Sequence, residues 1–332
     1  MSTAVDNLPS RAVPQGETRI DTLAGCGGST RSRPAGLMLS QCRDSALEFT
    51  QLVSSAADAA DVDAGALTAR TLLHLPRVAT SRGWVTTSKI KHELSDSARI
   101  LRKDVGRVKH LLPDGRFALP QLAFVEDFDP ATSDRLLRSL HYLRNAPRPG
   151  SRYFALVDPE KGCPVTICSV SPFEWTLAGD YIRSEFGVPQ QMILDVSRVY
   201  SCDLAPPNAI SFLLSRVRSS LSDKIDLLMT AVDPNLGFRG SSYRAAGWQL
   251  WLTVQPRPYL YRNGRYASPR QLRQLFGTSN LDELKTNHPD QRFARSRPRL
   301  LDALIFCCRT RCSTEAIQLS DKCPLRRRRS AG

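Results

Sequence analysis

The sequence predicts an α/β (α+β) protein: a mixed sheet flanked by helices and preceded by a small helical module. Three observations predict it. From Gln121 onward the elements alternate as β, α, β, β, β, α, β, α, β, β. The segment Leu194–Trp251 reads as strand, helix, strand, loop, helix. Residues 66–118 carry helical periodicity instead, closed by a Pro-Asp-Gly tip at 113–115.

Taken in order, residues 1–65 are expected to be largely disordered. Pro9, Pro14, Pro34, Gly25, Gly27, Gly28 and Gly36 interrupt any period, leaving room for one helix near Arg43–Ala60. The Gly-rich run GCGGST at 25–30 has no strand before it and no Lys after it, so it is not a phosphate loop. Three helices are predicted next: 66–79, 86–94 with Ser88 as N-cap, and one through Leu112 capped by Ser95 or Asp96. With a hairpin tip at 113–119 they make a winged-helix-like module. Lys89, Lys91, Arg99, Arg102, Lys103, Arg107 and Lys109 form its basic face, which suits DNA; a plain helical subdomain is the alternative.

The sheet region begins with a strand at 122–128, and Asp129 caps a helix running to about Leu143. A hairpin follows over 153–157 and 165–170, then a loop at 174–189 with Trp175, Tyr181 and Phe186. Strands at 192–201 and 225–232 bracket a helix at 208–221, and a second helix is expected at 241–252. Strands at 257–261 and 265–267 turn at Asn263-Gly264, and a short helix covers 268–276.

A hydrophobic content of 41% with 23% charged residues is that of a globular protein. No run reaches the ~18 apolar residues that a membrane span needs. The N-terminus has no basic-then-apolar leader, so a cytoplasmic location is expected. The nine cysteines are scattered and expected to be reduced. Cys307, Cys308, Cys312 and Cys323 lack both a CxxC pair and a nearby His, so no metal is expected. Net charge is +14, and residues 288–332 supply +7 of it. Residues 283–332 are therefore read as a basic tail, ending in Arg326, Arg327, Arg328 and Arg329 as a phosphate-binding end, with DNA as partner.

Four stretches carry a resemblance: HYL at 141–143, SRVY at 197–200, the PxNAIS helix start at 206–211, and AVDPNLGFRGSSYRAAGW at 231–248. Residues 120–282 are read as a catalytic domain, and over roughly residues 120–280 the chain resembles the Mom family of phage DNA-modification proteins, a branch of the GNAT acyltransferase superfamily. The resemblance implies a GNAT-like sheet with splayed central strands, here 192–201 and 225–232. It implies a transferase that modifies a nucleobase in DNA, adenine N6, from an acetyl-CoA-like donor, and so protects DNA from nucleases.

It also implies site roles. Asp233, Tyr243, Ser197 and Arg198 are the catalytic candidates: Asp233 orients or deprotonates the amine, and Tyr243 is the general acid. Val199, Tyr200, Asn208 and Ser211 would hold the acyl-CoA, with Asn208 capping a helix whose free N–H groups face the pyrophosphate. His141, Tyr142, Gly237, Gly240 and Trp248 would meet the substrate, Trp248 by stacking on a flipped base. Structural roles stand beside each: a turn-forming Asp233, a packed Tyr243, an ion-paired Arg198, and core packing for Trp248 and Trp251 three apart on a helix. The chain departs from ordinary GNAT proteins at 202–208. CDLAPPN stands where a Gly-rich phosphate loop is usual, and its two prolines offer no N–H. An N-acyltransferase acting on a protein or small amine, and a non-catalytic DNA-binding protein, are the alternatives.

Overall fold

A computed structural model describes residues 43–311 and the strand at 324–325. Three helices come first: α1 (Arg43–Ala60), α2 (Ala64–Val78) and α3 (Thr87–Val108). α3 is one continuous helix and not the two expected. Thr86 provides the cap, its Oγ1 accepting from Lys89 N at 3.5 Å. Ser97, Ala98 and Leu101 are buried straight through the supposed break at 95–96. All seven predicted basic residues are exposed. The expected wing is missing: residues 113–118 bend without forming strands, then make a 3-10 turn at Leu119–Gln121.

The sheet elements follow as β1 (Ala123–Val125), α4 (Pro130–Ser139), β2 (Arg152–Val157), β3 (Pro164–Pro172), α5 (Thr176–Phe186), β4 (Ile193–Ser201), α6 (Ala209–Ser220) and β5 (Leu227–Val232). Then come α7 (Ser241–Ala245), β6 (Gln249–Val254), β7 (Leu260–Arg262), β8 (Arg265–Tyr266), α8 (Pro269–Phe276), α9 (Leu281–Asn287), β9 (Phe293–Arg295), β10 (Ala303–Arg309) and β11 (Pro324–Leu325). The large sheet has the order β1-β2-β3-β4-β5-β10-β6-β11, and β8-β7-β9 form a small second sheet. All pairings are antiparallel except β4 with β5 and β6 with β11.

Three expectations change here. The aromatic stretch after β3 is a helix, because Ala178 and Ile182 at i, i+4 bury one face and Gly187 ends it at φ 67°. The helix expected at 241–252 stops after Ala245. Gly247 at φ 79° turns the chain, and the remainder becomes β6. The stretch read as a tail supplies β10 to the middle of the sheet, between β5 and β6.

Strand alternation explains the layering. Phe154 and Leu156 of β2, Leu228 of β5 and Phe306 of β10 face α6, where Leu213, Leu214 and Val217 cover them. On the opposite face α5 covers Leu227, Met229, Ile305 and Cys307. Further along that face, Tyr153 and Ala155 join Leu73, Leu101, Leu136 and Tyr261 in one core shared by helices and sheet. A buried ion cluster fastens the helices there. Asp104 pairs with Arg70 at 3.0 Å and Arg144 at 2.9 Å, and Arg70 also bonds the carbonyls of Ser139 and Leu140 at the C-terminal end of α4. Breaking such a buried pair by removing one partner typically costs about 3–5 kcal/mol.

Candidate functional site

β4 and β5 pair only over three rungs, Ile193 with Leu227 through Asp195 with Met229. Beyond them the strands part. On the other side β4 stays paired with β3, but the register skips a residue: Val170 faces Val196, and Ser169 faces Arg198. Ser197 is the extra residue, a bulge that adds twist where the strands separate. Its hydroxyl sits 2.9 Å from Ser169 Oγ. Thr230 Oγ1 crosses the start of the gap and donates to the Val196 carbonyl at 2.9 Å.

Tyr243 enters this gap from α7. Its hydroxyl lies 3.5 Å from Thr230 Oγ1. Thr230 Oγ1 is the donor of this long contact, which is secondary to its shorter bond to the Val196 carbonyl. Its ring packs against Trp248 at 5.3 Å and Phe306 at 6.0 Å. Burial pushes its pKa up to about 12, so the phenol keeps its proton at neutral pH.

Arg198 points to the other side of the opening. It donates to the Ser197 carbonyl at 2.5 Å and to Asn145 Oδ1 at 2.7 Å, while its buried Nε has no partner among the described residues. Burial lowers its pKa, partly offset by Tyr142 and Asp195. Tyr142 stands within electrostatic reach of Arg198, Asp233, Tyr243 and Tyr266, and burial raises its pKa first of all. Its ring meets Phe238 at 5.2 Å and His141 at 4.2 Å. Phe238 is exposed, so this pair forms an aromatic edge reaching solvent.

Asp233 holds a turn. Asn235 donates to it through its backbone N–H at 2.9 Å and Nδ2 at 2.8 Å, and the Tyr259 hydroxyl donates to its other oxygen. No bond joins Asp233 to Tyr243. With three donors already converging, its carboxylate is placed to orient a neighbour more than to take a proton.

Several predicted residues are used differently. His141 is buried, accepts from Leu143 N–H at Nδ1, and is held neutral by burial and by Arg198; it backs Tyr142 and does not face the gap. Trp248 is 3% exposed, too deep to stack on a base, though its indole N–H has no acceptor among the described residues. Trp251 lies in β6 on the opposite face, against Phe186 at 4.2 Å, so the two tryptophans do not share a helical face. Gly240, at φ 74°, lies against the Phe306 ring, where any Cβ would collide, so packing alone already demands glycine there. Gly237, at φ 85°, closes the 3-10 turn after Asp233.

Val199 packs beneath α6 and Tyr200 reaches toward Asp63 and Arg70 of the helical region. Asn208 occupies the N-cap position but caps nothing: it is left-handed at φ 65°, and its side chain bonds no helix N–H. Ser211 donates back to the Asn208 carbonyl at 2.9 Å. The first-turn N–H groups of α6 therefore lack a side-chain cap. Arg326, Arg327, Arg328 and Arg329 lie outside the described residues, as do Cys312 and Cys323.

One residue that sequence reasoning missed is Asp195, on the last rung before the strands part. Burial, against the pull of Arg148 and Arg198, raises its carboxyl to about 6. Tyr259 and Tyr266 were missed too; they reach the site from the small sheet. No local signal marks any of the three, since their role depends on the register of β4 and on the return of β7 and β8.

No family model matches this chain, and no curated protein matches it. Among solved structures, an aminoglycoside N(6')-acetyltransferase from Legionella pneumophila subsp. pneumophila str. Philadelphia 1 is similar, covering 57% of this chain and 92% of its own, with a TM-score of 0.29 and 9% identity.

Proposed function

We propose that this protein is a GNAT-like acyl-type transferase, and that its acceptor is a nucleobase amine in DNA, adenine N6 as in the Mom-like reading. The parting of β4 and β5 after three rungs, with the protonated Tyr243 hydroxyl in the opening, carries the reading. Such a gap accepts a narrow pantetheine-like arm beside the unpaired edge of β4. Two buried donors without partners, Arg198 Nε and Trp248 Nε1, flank the Tyr142–Tyr243 region and suit a carbonyl or anionic group. At the α6 end the fit is narrower. Pro206 and Pro207 give no N–H, so only the first-turn N–H groups of α6 are available to a pyrophosphate. A bound acyl-CoA-like donor would supply an activated acyl group.

The chain's own residues do the rest. Tyr243 holds a proton at its hydroxyl, available to a departing thiolate. Arg198 keeps a fixed positive charge beside Tyr142. Asp233 fixes Tyr259 and the loop leading to Phe238. Adenine's amine is a weak nucleophile, so holding it in place matters more than a strong base. The Phe238–Tyr142 edge offers a surface on which an extruded base can stack. The net charge of +14 favours a polyanionic substrate.

DNA from cells expressing the protein should yield a deoxyadenosine of increased mass on nucleoside digestion, and should resist restriction nucleases. The Tyr243→Phe variant should lose both. An unaltered nucleoside profile from soluble, folded protein would overturn the proposal.

A further inference from the structure

The small sheet carries a feature that the cleft does not use. A groove of about 560 Å³ runs along it, lined by Arg77, Arg292, Arg295 and Arg297 with Asn263 and Gly264 at the hairpin tip. Arg292, Arg295 and Arg297 are exposed, whereas Phe293 and Ser296 between them are buried. All three arginines line the same groove. Their backbone is fixed at several points. Arg292 N–H donates to Asn263 Oδ1 at 2.9 Å, Ser296 N–H to the Tyr259 carbonyl at 2.8 Å, and Arg297 N–H to the Pro76 carbonyl at 3.1 Å.

On the basic face of α3, Arg99 pairs with Asp96 and Arg107 with Asp104, while Lys91, Arg102 and Lys103 make no ion pair among the described residues. What sets the groove apart is that its open cations are all guanidinium groups on a backbone pinned at the points above. In the groove only Arg77 is paired, with Glu93. Among the described residues Arg292, Arg295 and Arg297 make no ion pair, and the nearby Asp290 carboxylate is taken by Gln291. Three guanidinium groups left without a carboxylate on a rigid frame are matched to a row of phosphates. The groove also leads toward the cleft. Across the Asn263 tip a second groove, of about 680 Å³, is lined by Arg262, Arg265, Gln271 and Tyr266. Tyr266 lies within electrostatic reach of Asp233 and Arg198.

We infer that the groove of Arg292, Arg295 and Arg297 on the small sheet is a docking surface for the phosphate backbone of duplex DNA, feeding the strand past Asn263 toward Tyr266. The inference rests on the DNA half of the proposed function and not on its chemistry.

The test is fluorescence anisotropy of a short labelled DNA duplex of mixed sequence, titrated at several salt concentrations. Two full-length variants with equal charge loss are compared: Arg292, Arg295 and Arg297 each to Gln, and Lys91, Arg102 and Lys103 on α3 each to Gln. Loss of three phosphate contacts should reduce the slope of log K against log salt by about 2.7, at ~0.9 per contact. That reduction is expected for the groove variant alone, and Arg→Lys at the same three positions should restore most of it. Equal reductions in both variants, or none in the groove variant, would overturn the inference while leaving the transferase reading intact. So would binding of polyglutamate, with no binding of duplex. Groove-dependent DNA binding by a protein that leaves nucleosides unmodified would sink the transferase reading and keep this one.

Discussion

The two edges of β5 present opposite solutions. Toward β10 it is paired along its whole length, Leu227 with Arg309 through Val232 with Leu304. Toward β4 the ladder stops after three rungs. A strand left open on one side keeps its place because the other side is complete, and because Phe306 and Ile305 of β10 are fully buried on opposite faces. The opening is thus supported by a strand that arrives late in the chain. Rigid pairing on one edge is what permits the gap on the other.

Four substitutions would break or sharpen that contrast. Phe306→Ala on the closed side should be the most damaging, costing about 4 kcal/mol in urea unfolding through loss of a buried aromatic and the cavity left behind. If it costs under ~1 kcal/mol, β10 is not the support described. Tyr243→Phe on the open side should reduce turnover about 100-fold, the scale of a lost general acid, with less than ~1 kcal/mol change in stability. Equal losses of activity and stability would mark the tyrosine as packing only. Gly240→Ala should cost about 2–3 kcal/mol, from a positive φ and a collision with Phe306; an unchanged melting temperature would contradict the close approach.

Asp195→Asn tests the hinge between the two sides, with the smallest effect and a distinctive pH dependence. The folded carboxyl is raised from an ordinary 3.8 to about 6. Its contribution to stability is complete below about pH 4 and is lost as pH rises through 6. The variant lacks that loss. It should match the parent at pH 3.5 and exceed it by about 2 kcal/mol at pH 8, the ~3 kcal/mol of such a shift reduced by the partial exposure of Asp195, judged by chemical denaturation at both. Equal stabilities at pH 8 would mean that the carboxyl is not desolvated.

Much of the sheet was legible from local pattern. The runs at 153–157, 165–170 and 192–201 are rich in β-formers, and their register alone was hidden. The helix at 208–221 declared itself through apolar spacing. What failed did so for identifiable reasons. Ser241–Ala245 does form a helix, but Gly247 ends it after one turn, and in the sequence the apolar run QLWLTV looks like its continuation. The uncharged run ALIF at 303–306 was hidden by averaging charge over 288–332. The motif resemblance points at Tyr243 and Arg198, and both lie where β4 and β5 part. The Tyr259 bond to Asp233 was not, because it joins residues 26 apart by a return of chain that no local pattern specifies.

The ion cluster of Arg70, Asp104 and Arg144 has a practical consequence for anyone dissecting this protein. Cutting the chain near residue 119 would strand Arg70 and Asp104 in one fragment and Arg144 in the other, and would strip the lid from Tyr153, Leu136 and Tyr261. Neither piece would be worth purifying by itself, and the helices are best regarded as a wall of the same room and not a detachable annex.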